Sequence, residues 1–279
     1  MWRFCIAGYF AFFFGASPSF GDIIITLNFT GGLSASQQIV FAGAKGFWET
    51  ALTGYQPGIA ITGPTINASG VAMDGVGGTL GSAGPSTTAT QGGFVLTTTG
   101  QMEFDIADLS NLEANGSLQN VVMHEMAHVL GFGTLWTNNG VYSFNTGQFK
   151  GSAALNQYKT EFNQLSATFV PVELGGGIGT ANGHWDEVDF GGGLTGIRDS
   201  LNRDMRDELM TGWLNPNSFV SNMTIASFSD IGFITAVPEP GSLAFVGFSI
   251  VAILFLKRHK RIRPPKQTIN PSKFLRSKH

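Results

Sequence analysis

The sequence predicts an α+β domain flanked by two terminal segments that do not belong to it. Three observations indicate this class. β-Branched residues cluster at residues 23–29, apolar residues recur at helical spacing over residues 34–52, and a strand-like region at residues 92–105 precedes another helical region. No segment repeats with a period of 20–50 residues, which excludes solenoids and propellers. About 215 residues between the two ends suffice for one domain, or for two lobes around a cleft.

The elements between these regions follow from local residue types. The helix at residues 34–52 has Ser34 or Ser36 as its expected N-cap. Residues 58–62 predict a second strand. Residues 63–93 are dominated by Gly, Ser, Thr and Ala, a composition typical of turns joined by short strands.

A last helix is predicted from the start signal Asn115-Gly116-Ser117. It should run over residues 118–130 and end at Gly131, because glycine readily takes the left-handed conformation that closes a helix. This order of strands and helices suits an α+β or an α/β lobe.

Composition and charge exclude several classes of protein. Apolar residues make up 43% of the chain, which excludes wholesale disorder, and the 38 glycines indicate many loops. Residues 22–240 hold 6 basic and 19 acidic residues, a balance of −13, so this part will not bind nucleic acid through phosphate contacts. Cys5 is the single cysteine, which excludes a disulfide framework and a cysteine-based metal site.

Residues 1–21 have the layout of a secretory signal peptide. A short cationic start that contains Arg3 precedes an apolar run at residues 4–14, and small residues follow up to Gly21. The mature domain should therefore begin near Asp22 and be exported. It would contain no cysteine, because Cys5 is removed with the signal.

The carboxyl end carries a short membrane segment. Residues 241–256 are a 16-residue apolar run without charge, about 24 Å long as a helix and slightly short of the ~30 Å hydrocarbon core. The basic cluster at residues 257–263 should stay cytoplasmic. Residues 264–279 form a basic tail. The protein should thus be held at the inner membrane, at least transiently.

Pro238-Glu239-Pro240 stands directly before this run. Together, the Pro-Glu-Pro triplet, the apolar helix and the Arg-rich end resemble a PEP-CTERM sorting signal over residues 237–263. The resemblance implies a bacterial protein processed by an exosortase-type enzyme, and then found in the cell envelope or outside the cell. An ordinary C-terminal membrane anchor is the alternative interpretation.

The predicted helix at residues 118–130 contains His124-Glu125-Met126-Ala127-His128. Positions i and i+4 of a helix lie on one face, so both imidazoles can reach one metal ion. Glu125 lies to the side of this pair, where its carboxylate can act on a water molecule without being a ligand. The pattern predicts a catalytic zinc site.

A catalytic zinc site normally needs a third protein ligand. The short-spaced version of this motif has a histidine three residues after the glycine, but that position is Thr134 here. His184 is the remaining histidine within residues 22–240. Carboxylates can also complete such a site, and the competing candidates are Glu161, Asp186 and Glu187.

These residues resemble the leishmanolysin-like metzincins, a family of zinc proteases. Residues 124–136 resemble the family's active-site segment, residues 183–187 its segment with the third histidine, and residues 207–212 its methionine turn. The resemblance implies a metzincin-type fold, with an amino-terminal lobe that holds a twisted mixed sheet and the active-site helix, and an irregular carboxyl-terminal lobe. It further implies that His124, His128 and His184 bind zinc and that Glu125 is the general base that activates the attacking water. Met210 would be the methionine that packs below the metal.

The sequence therefore predicts an exported zinc endopeptidase that hydrolyses protein or peptide substrates. The alternative is a catalytically silent surface or biofilm-matrix protein that uses the zinc fold as a scaffold. Two further expectations concern residues near the site. The strand around residues 94–100 or 102–105 could pair with substrate. Asp105 and Asp108 could bind calcium, although solvated or capping roles are more typical of such carboxylates.

Overall fold

A four-stranded sheet forms one side of the protein in this computed structural model, which describes residues 22–187 and 193–236. The spatial order of its strands is β1 (Thr26–Gly31), β3 (Thr65–Val71), β5 (Phe94–Asp105) and β4 (Gly81–Gln91). Strands β1, β3 and β5 run parallel, whereas β4 runs antiparallel to β5. The sheet is thus mixed, and the α+β prediction is confirmed.

Two strand predictions need correction. Residues 58–62 are a loop, and the strand before them is β2 (Leu52–Tyr55). Residues 63–93 contain two full strands, β3 and β4, of seven and eleven residues. The reason is that β4 lies at the edge of the sheet, has no buried residue and is rich in Gly, Ser and Thr, so it lacks the apolar alternation by which strands are recognised.

Helix α1 (Ala35–Ala51) begins as predicted. Ser34 caps it, and the side chain of Gln37 accepts a hydrogen bond from the Ser34 N–H, which completes a capping box. The buried stripe of the helix includes Trp48, while Ile39 faces solvent with 72% exposure. The helix was therefore predicted with the correct bounds, but one of the apolar residues used to predict it does not belong to the core.

Helix α2 (Ile106–Ala114) was not expected from the sequence. Asp105 is its N-cap and accepts a hydrogen bond from the Ala107 N–H. The Asp105 carboxylate also accepts the N–H of Gly75, and that of Asp108 accepts the N–H of Gly77. Asp105 therefore caps α2, and both aspartates hold the loop that precedes β4. Calcium binding by this pair stays a prediction.

Helix α3 (Leu118–Leu130) has the predicted bounds. It packs against α1, where the Trp48 indole N–H donates to the Met123 carbonyl oxygen at 3.0 Å. It also packs on the sheet, where the Thr97 hydroxyl donates to the Val129 carbonyl oxygen at 2.6 Å. These two buried hydrogen bonds fix α3 against α1 and against the sheet.

Beyond α3 the chain has few regular elements. They are α4 (Ser152–Glu161), α5 (Asn222–Ser227), the two-residue strands β6 (Gln148–Phe149) and β7 (Val170–Pro171), and β8 (Phe233–Thr235), which pairs with β2. The described residues nevertheless belong to one compact unit.

Large aromatic side chains hold this irregular part together. Trp185 is fully buried and stacks on Trp136 with a ring separation of 5.0 Å. Phe132 and Phe149 meet it edge-on at 5.0 and 5.3 Å. Such pairs are favourable beyond the area they bury, by about 0.5–1.5 kcal/mol each. This cluster fixes the segment that contains His184.

The predicted terminal segments, residues 1–21, 237–263 and 264–279, lie outside the described residues, and their bounds stay predictions. Among the residues that the structure describes, no helix is both long and apolar enough to span a membrane.

Candidate metal centre

Helix α3 presents two histidines, His124 and His128, one turn apart on the same face. The helix ends at Gly131, which has a left-handed φ of 115°. A Cβ atom at this position would lie 3.0 Å from the Ile231 side chain. Glycine therefore satisfies both the backbone conformation and the packing at the point where the chain turns away.

His184 joins this pair from a segment 56 residues further along the chain. Backbone bridges place its neighbour Trp185 between Val172 and Thr211. The Nε2 atoms of His124, His128 and His184 then lie 3.0 Å apart in every pair. The structure thus brings the three predicted ligands together as an equilateral triangle of nitrogen atoms.

The opposite nitrogen of every ring bonds to a backbone carbonyl oxygen. His124 Nδ1 lies 2.7 Å from the oxygen of Leu209, His128 Nδ1 2.9 Å from that of Phe132, and His184 Nδ1 2.8 Å from that of Thr180. A carbonyl oxygen only accepts, so each Nδ1 carries the proton and each neutral ring directs an Nε2 lone pair into the triangle.

These features fit a zinc ion. Three lone pairs that face one another at 3.0 Å require a cation between them, and the spacing suits Zn–N bonds of about 2.0–2.1 Å. Burial lowers the pKa of all three rings, that of His184 to about 3, so the rings are kept in the neutral form that binds metal. Among the described residues, this is the group whose ligand atoms converge closely enough for an ion.

Glu125 lies beside the triangle on the same helix. Its side chain is 7% exposed, and burial raises its pKa to about 8. Gly81 of β4 faces it, and a Cβ atom at Gly81 would lie 3.0–3.2 Å from three atoms of the Glu125 side chain. The edge strand therefore leaves space for this carboxylate where most residues would not.

Met210 is fully buried in the turn that follows residue 207. Its carbonyl oxygen accepts the Trp185 N–H at 3.0 Å, while the preceding carbonyl, of Leu209, accepts from His124. The predicted methionine turn therefore contacts both histidine-bearing segments through its backbone.

Comparison with known proteins agrees with this arrangement. The sequence model of the leishmanolysin peptidases matches residues 94–237, slightly more than half of the chain. The chain belongs to the leishmanolysin family. A leishmanolysin homolog from Crithidia fasciculata is 27% identical over 127 residues, which cover 42% of this chain and 17% of that protein. The similarity thus spans less than a fifth of that relative's length.

The matched region begins at β5 and includes all three histidines, Glu125 and Met210. Helix α1 and strands β1 to β4 precede the matched region. Among them is β4, which forms one side of the site next to Glu125.

The acidic candidates for the third ligand lie outside the triangle of this leishmanolysin-family protein. Glu161 accepts the N–H groups of the first two residues of α5. Asp186 and Glu187 lie near Glu173 instead. Burial raises the pKa of both carboxyl groups, and the negative charge of Glu173 raises it further; the pKa of Glu187 reaches about 7. Their carboxylates do not belong to the convergent group.

Sequence reasoning missed a buried carboxylate next to the methionine turn. Glu208 is 1% exposed and accepts hydrogen bonds from residues of its own turn and from the start of α5. Burial raises its pKa, and these hydrogen bonds oppose that effect. The sequence gives no local signal for this burial, because Glu208 ends a charged run that contains Arg206 and Asp207.

Proposed function

We propose that this protein is an exported zinc-dependent endopeptidase, with His124, His128 and His184 as the zinc ligands and Glu125 as the general base. The observation that carries the proposal is the triangle of Nε2 atoms, each in the tautomer that a metal requires, with a buried carboxylate beside it. Family membership gives independent support for a metallopeptidase.

Each residue has a distinct role in this proposal. A zinc ion bound by the three histidines would supply Lewis-acid activation of water and of the scissile carbonyl group. Glu125 would take the proton of the attacking water and return it to the leaving amine. A carboxyl group whose pKa is raised toward neutrality suits both steps, because it can accept a proton and release it again near neutral pH.

The substrate would bind along β4. We place the substrate there instead of on residues 94–100 or 102–105 of β5, because Thr99–Phe104 is paired with strands on both sides and Val95 bonds to the side chain of Asn139. Strand β4 forms the free edge of the sheet and passes Glu125 at Gly81. An extended peptide can add to such an edge through backbone hydrogen bonds.

The alternative, a silent protein with a structural zinc, makes a different demand on the site. Structural zinc sites are normally closed by four protein ligands and need no general base. The convergent group of described residues has three members, and Glu125 lies beside it. This arrangement supports an open position for water and substrate.

The test is cleavage of an unfolded protein such as casein by the purified full chain. We expect about one zinc per molecule, loss of cleavage on chelation and recovery on addition of zinc. His184→Ala and His124→Ala should lower zinc content alike, because each removes one of three ligands. Bound zinc without cleavage of casein or of a peptide library would support the scaffold alternative.

Export and sorting form a separate part of the proposal and rest on the sequence alone. The apolar run at residues 241–256 is short, and the Pro238 and Pro240 pair stops a helix from extending outward. We infer that an exosortase-type enzyme cuts near Pro240 and releases the domain to the envelope or medium. Intact-mass analysis of protein from the native host tests this, since a dominant species that keeps residues 257–279 would indicate a permanent anchor.

A further inference from the structure

Glu208 is a buried carboxylate without a cationic partner among the described residues. Its Oε1 accepts hydrogen bonds from the Ser221 N–H at 2.9 Å, the Ser221 hydroxyl at 2.9 Å and the Thr224 hydroxyl at 2.6 Å. Its Oε2 accepts the Met210 N–H at 2.6 Å. Burying a charge is costly unless donors surround it, so four converging donors indicate that the carboxylate has a specific role at this position.

One of these donors leads directly to the histidine triangle. The Met210 N–H and the Leu209 carbonyl belong to the same peptide group. Glu208 accepts from its N–H, and His124 Nδ1 donates to its carbonyl oxygen at 2.7 Å. Hydrogen bonds in series polarise one another, so a negative charge at the N–H end strengthens the carbonyl as an acceptor. A stronger acceptor at Nδ1 makes Nε2 of the same ring a better metal ligand.

A second connection leads to His184. The Thr224 hydroxyl donates to Glu208 and accepts the Trp185 indole N–H at 2.8 Å. Because an indole N–H can only donate, the Thr224 proton is directed toward the carboxylate. The Trp185 backbone N–H also bonds to the Met210 carbonyl oxygen, so the residue next to His184 is held on two sides.

We propose that Glu208 is a positioning residue for the metal centre. It acts on His124 through the Leu209–Met210 peptide group and on His184 through Thr224 and Trp185. The inference rests on the zinc-binding part of the proposed function but not on the peptidase activity. Its principal readout is therefore metal affinity.

The chain offers a matched control in Glu161. This carboxylate also serves the start of α5, where it accepts the Asn222 and Met223 N–H groups at 3.0 and 2.9 Å. Neither bond reaches the methionine turn or Trp185. Substitution of Glu161 therefore reports any effect that arises from the start of α5 alone, because it leaves the Glu208 carboxylate and the peptide group that faces His124 in place.

The experiment measures zinc dissociation constants of the full chain by competition with a chromogenic chelator. Glu208→Gln keeps the shape but removes the charge, and its amide nitrogen cannot accept from the surrounding donors. We expect zinc binding about 10–100-fold weaker than in the wild type, the usual effect of losing a group that orients a ligand. Glu161→Gln should stay within about two-fold. The absorption spectrum of the cobalt-substituted protein should change in Glu208→Gln and not in Glu161→Gln.

Thr224 provides a second pair of variants in case Glu208→Gln does not fold. Thr224→Val removes the hydroxyl that joins Trp185 to Glu208, and should weaken zinc binding, whereas Thr224→Ser keeps the hydroxyl and should restore it. Wild-type affinity in Glu208→Gln and Thr224→Val, or equal loss in Glu161→Gln, would overturn the positioning role while leaving the proposed peptidase intact. Failure of the wild type to bind zinc would overturn both.

Discussion

At the scale of single residues, the site depends on which nitrogen of each imidazole carries the proton. The carbonyl groups of Leu209, Phe132 and Thr180 decide this, and they come from three different parts of the chain. Backbone carbonyls only accept hydrogen bonds, so each of them selects the same tautomer, protonated at Nδ1, for its neutral ring. The fold therefore sets the ligand chemistry before any metal arrives.

The role assigned to Glu125 predicts a selective loss of turnover. Glu125→Gln should lower kcat by about 10²–10⁴-fold, because the amide cannot accept the proton of the attacking water. Zinc content should not change, since Glu125 lies outside the ligand triangle. Casein cleavage and metal analysis measure the two effects. Glu103→Gln, a partly exposed carboxylate on β5, is the control and should behave as the wild type. Normal turnover in Glu125→Gln would mean that another group is the base.

The raised pKa of Glu125 predicts the direction of the pH dependence. Below its pKa the carboxyl is protonated and cannot act as a base, so kcat/KM should fall as the pH decreases. Burial sets that pKa at about 8 instead of the ordinary 4.5, and a bound cation would lower it again, so the decline should lie between these values.

The histidines give the control for this profile. Burial lowers the pKa of His184 to about 3, so protons displace the metal from it only at lower pH. Zinc content, measured after rapid gel filtration at each pH, should stay constant while kcat/KM declines. Parallel loss of zinc and activity would instead assign the decline to protonation of the ligands.

At the scale of elements, the edge strand β4 and helix α3 meet closely at Gly81. Most strand residues would place a Cβ atom against the Glu125 side chain, at 3.0–3.2 Å. Contacts this short force one partner to shift. Glycine at this position thus allows the strand and the carboxylate to lie side by side, and it determines where the carboxylate points.

Gly81→Ala should therefore lower kcat/KM by about ten-fold or more, because a shift of about 1 Å in a catalytic group can cost a factor of that order or larger. Gly84→Ala is the matched control on the same strand. There the nearest atom to a new Cβ would be Thr134 Cγ2 at 3.9 Å, an ordinary contact. Steady-state kinetics and thermal unfolding of both variants test this. Equal activity of the two would show that the Glu125 side chain adapts without loss.

At the scale of the whole molecule, zinc should contribute to folding stability by mass action. A metal that binds only the folded state stabilises it by RT ln(1 + [L]/Kd), about 4 kcal/mol at a thousand times Kd. The unfolding temperature should therefore rise with free zinc in buffered solutions. His184→Ala should show a much smaller rise, and an unfolding temperature of the wild type that does not depend on zinc would contradict the metal site.

The parts of this molecule that could be predicted from sequence are those set by local geometry. The orientation of His124 and His128 toward one face of α3 follows from their i,i+4 spacing. The start of α1 follows from the capping residues Ser34 and Ser36, of which Ser34 is the N-cap in the structure. His184 was chosen because few histidines are available. Its position beside the helix depends on aromatic packing around Trp185, which no local pattern encodes.

The parts that were missed depend on contacts between distant segments. Strand β4 is rich in Gly, Ser and Thr, and its strand conformation follows from pairing with β5. Ile39 fits the helical spacing but faces solvent, because the core contacts the neighbouring stripe of α1. The sequence does not distinguish Glu208 from an exposed acidic residue, since its hydrogen-bond donors Ser221 and Thr224 lie 13 and 16 residues further along the chain.

The distance along the chain between His128 and His184 has a consequence for the export that we propose. The sequence has no cysteine between residues 22 and 236, so this domain has no covalent cross-link of its own. A metal ion shared by helix α3 and His184 would close a loop of 56 residues. A permanent link across a loop of that size lowers the conformational entropy of the unfolded chain, which stabilises the folded state by about 4 kcal/mol. The metal would thus take the place that disulfides hold in secreted domains, and an environment poor in zinc would leave the segment between these histidines open to attack by proteases.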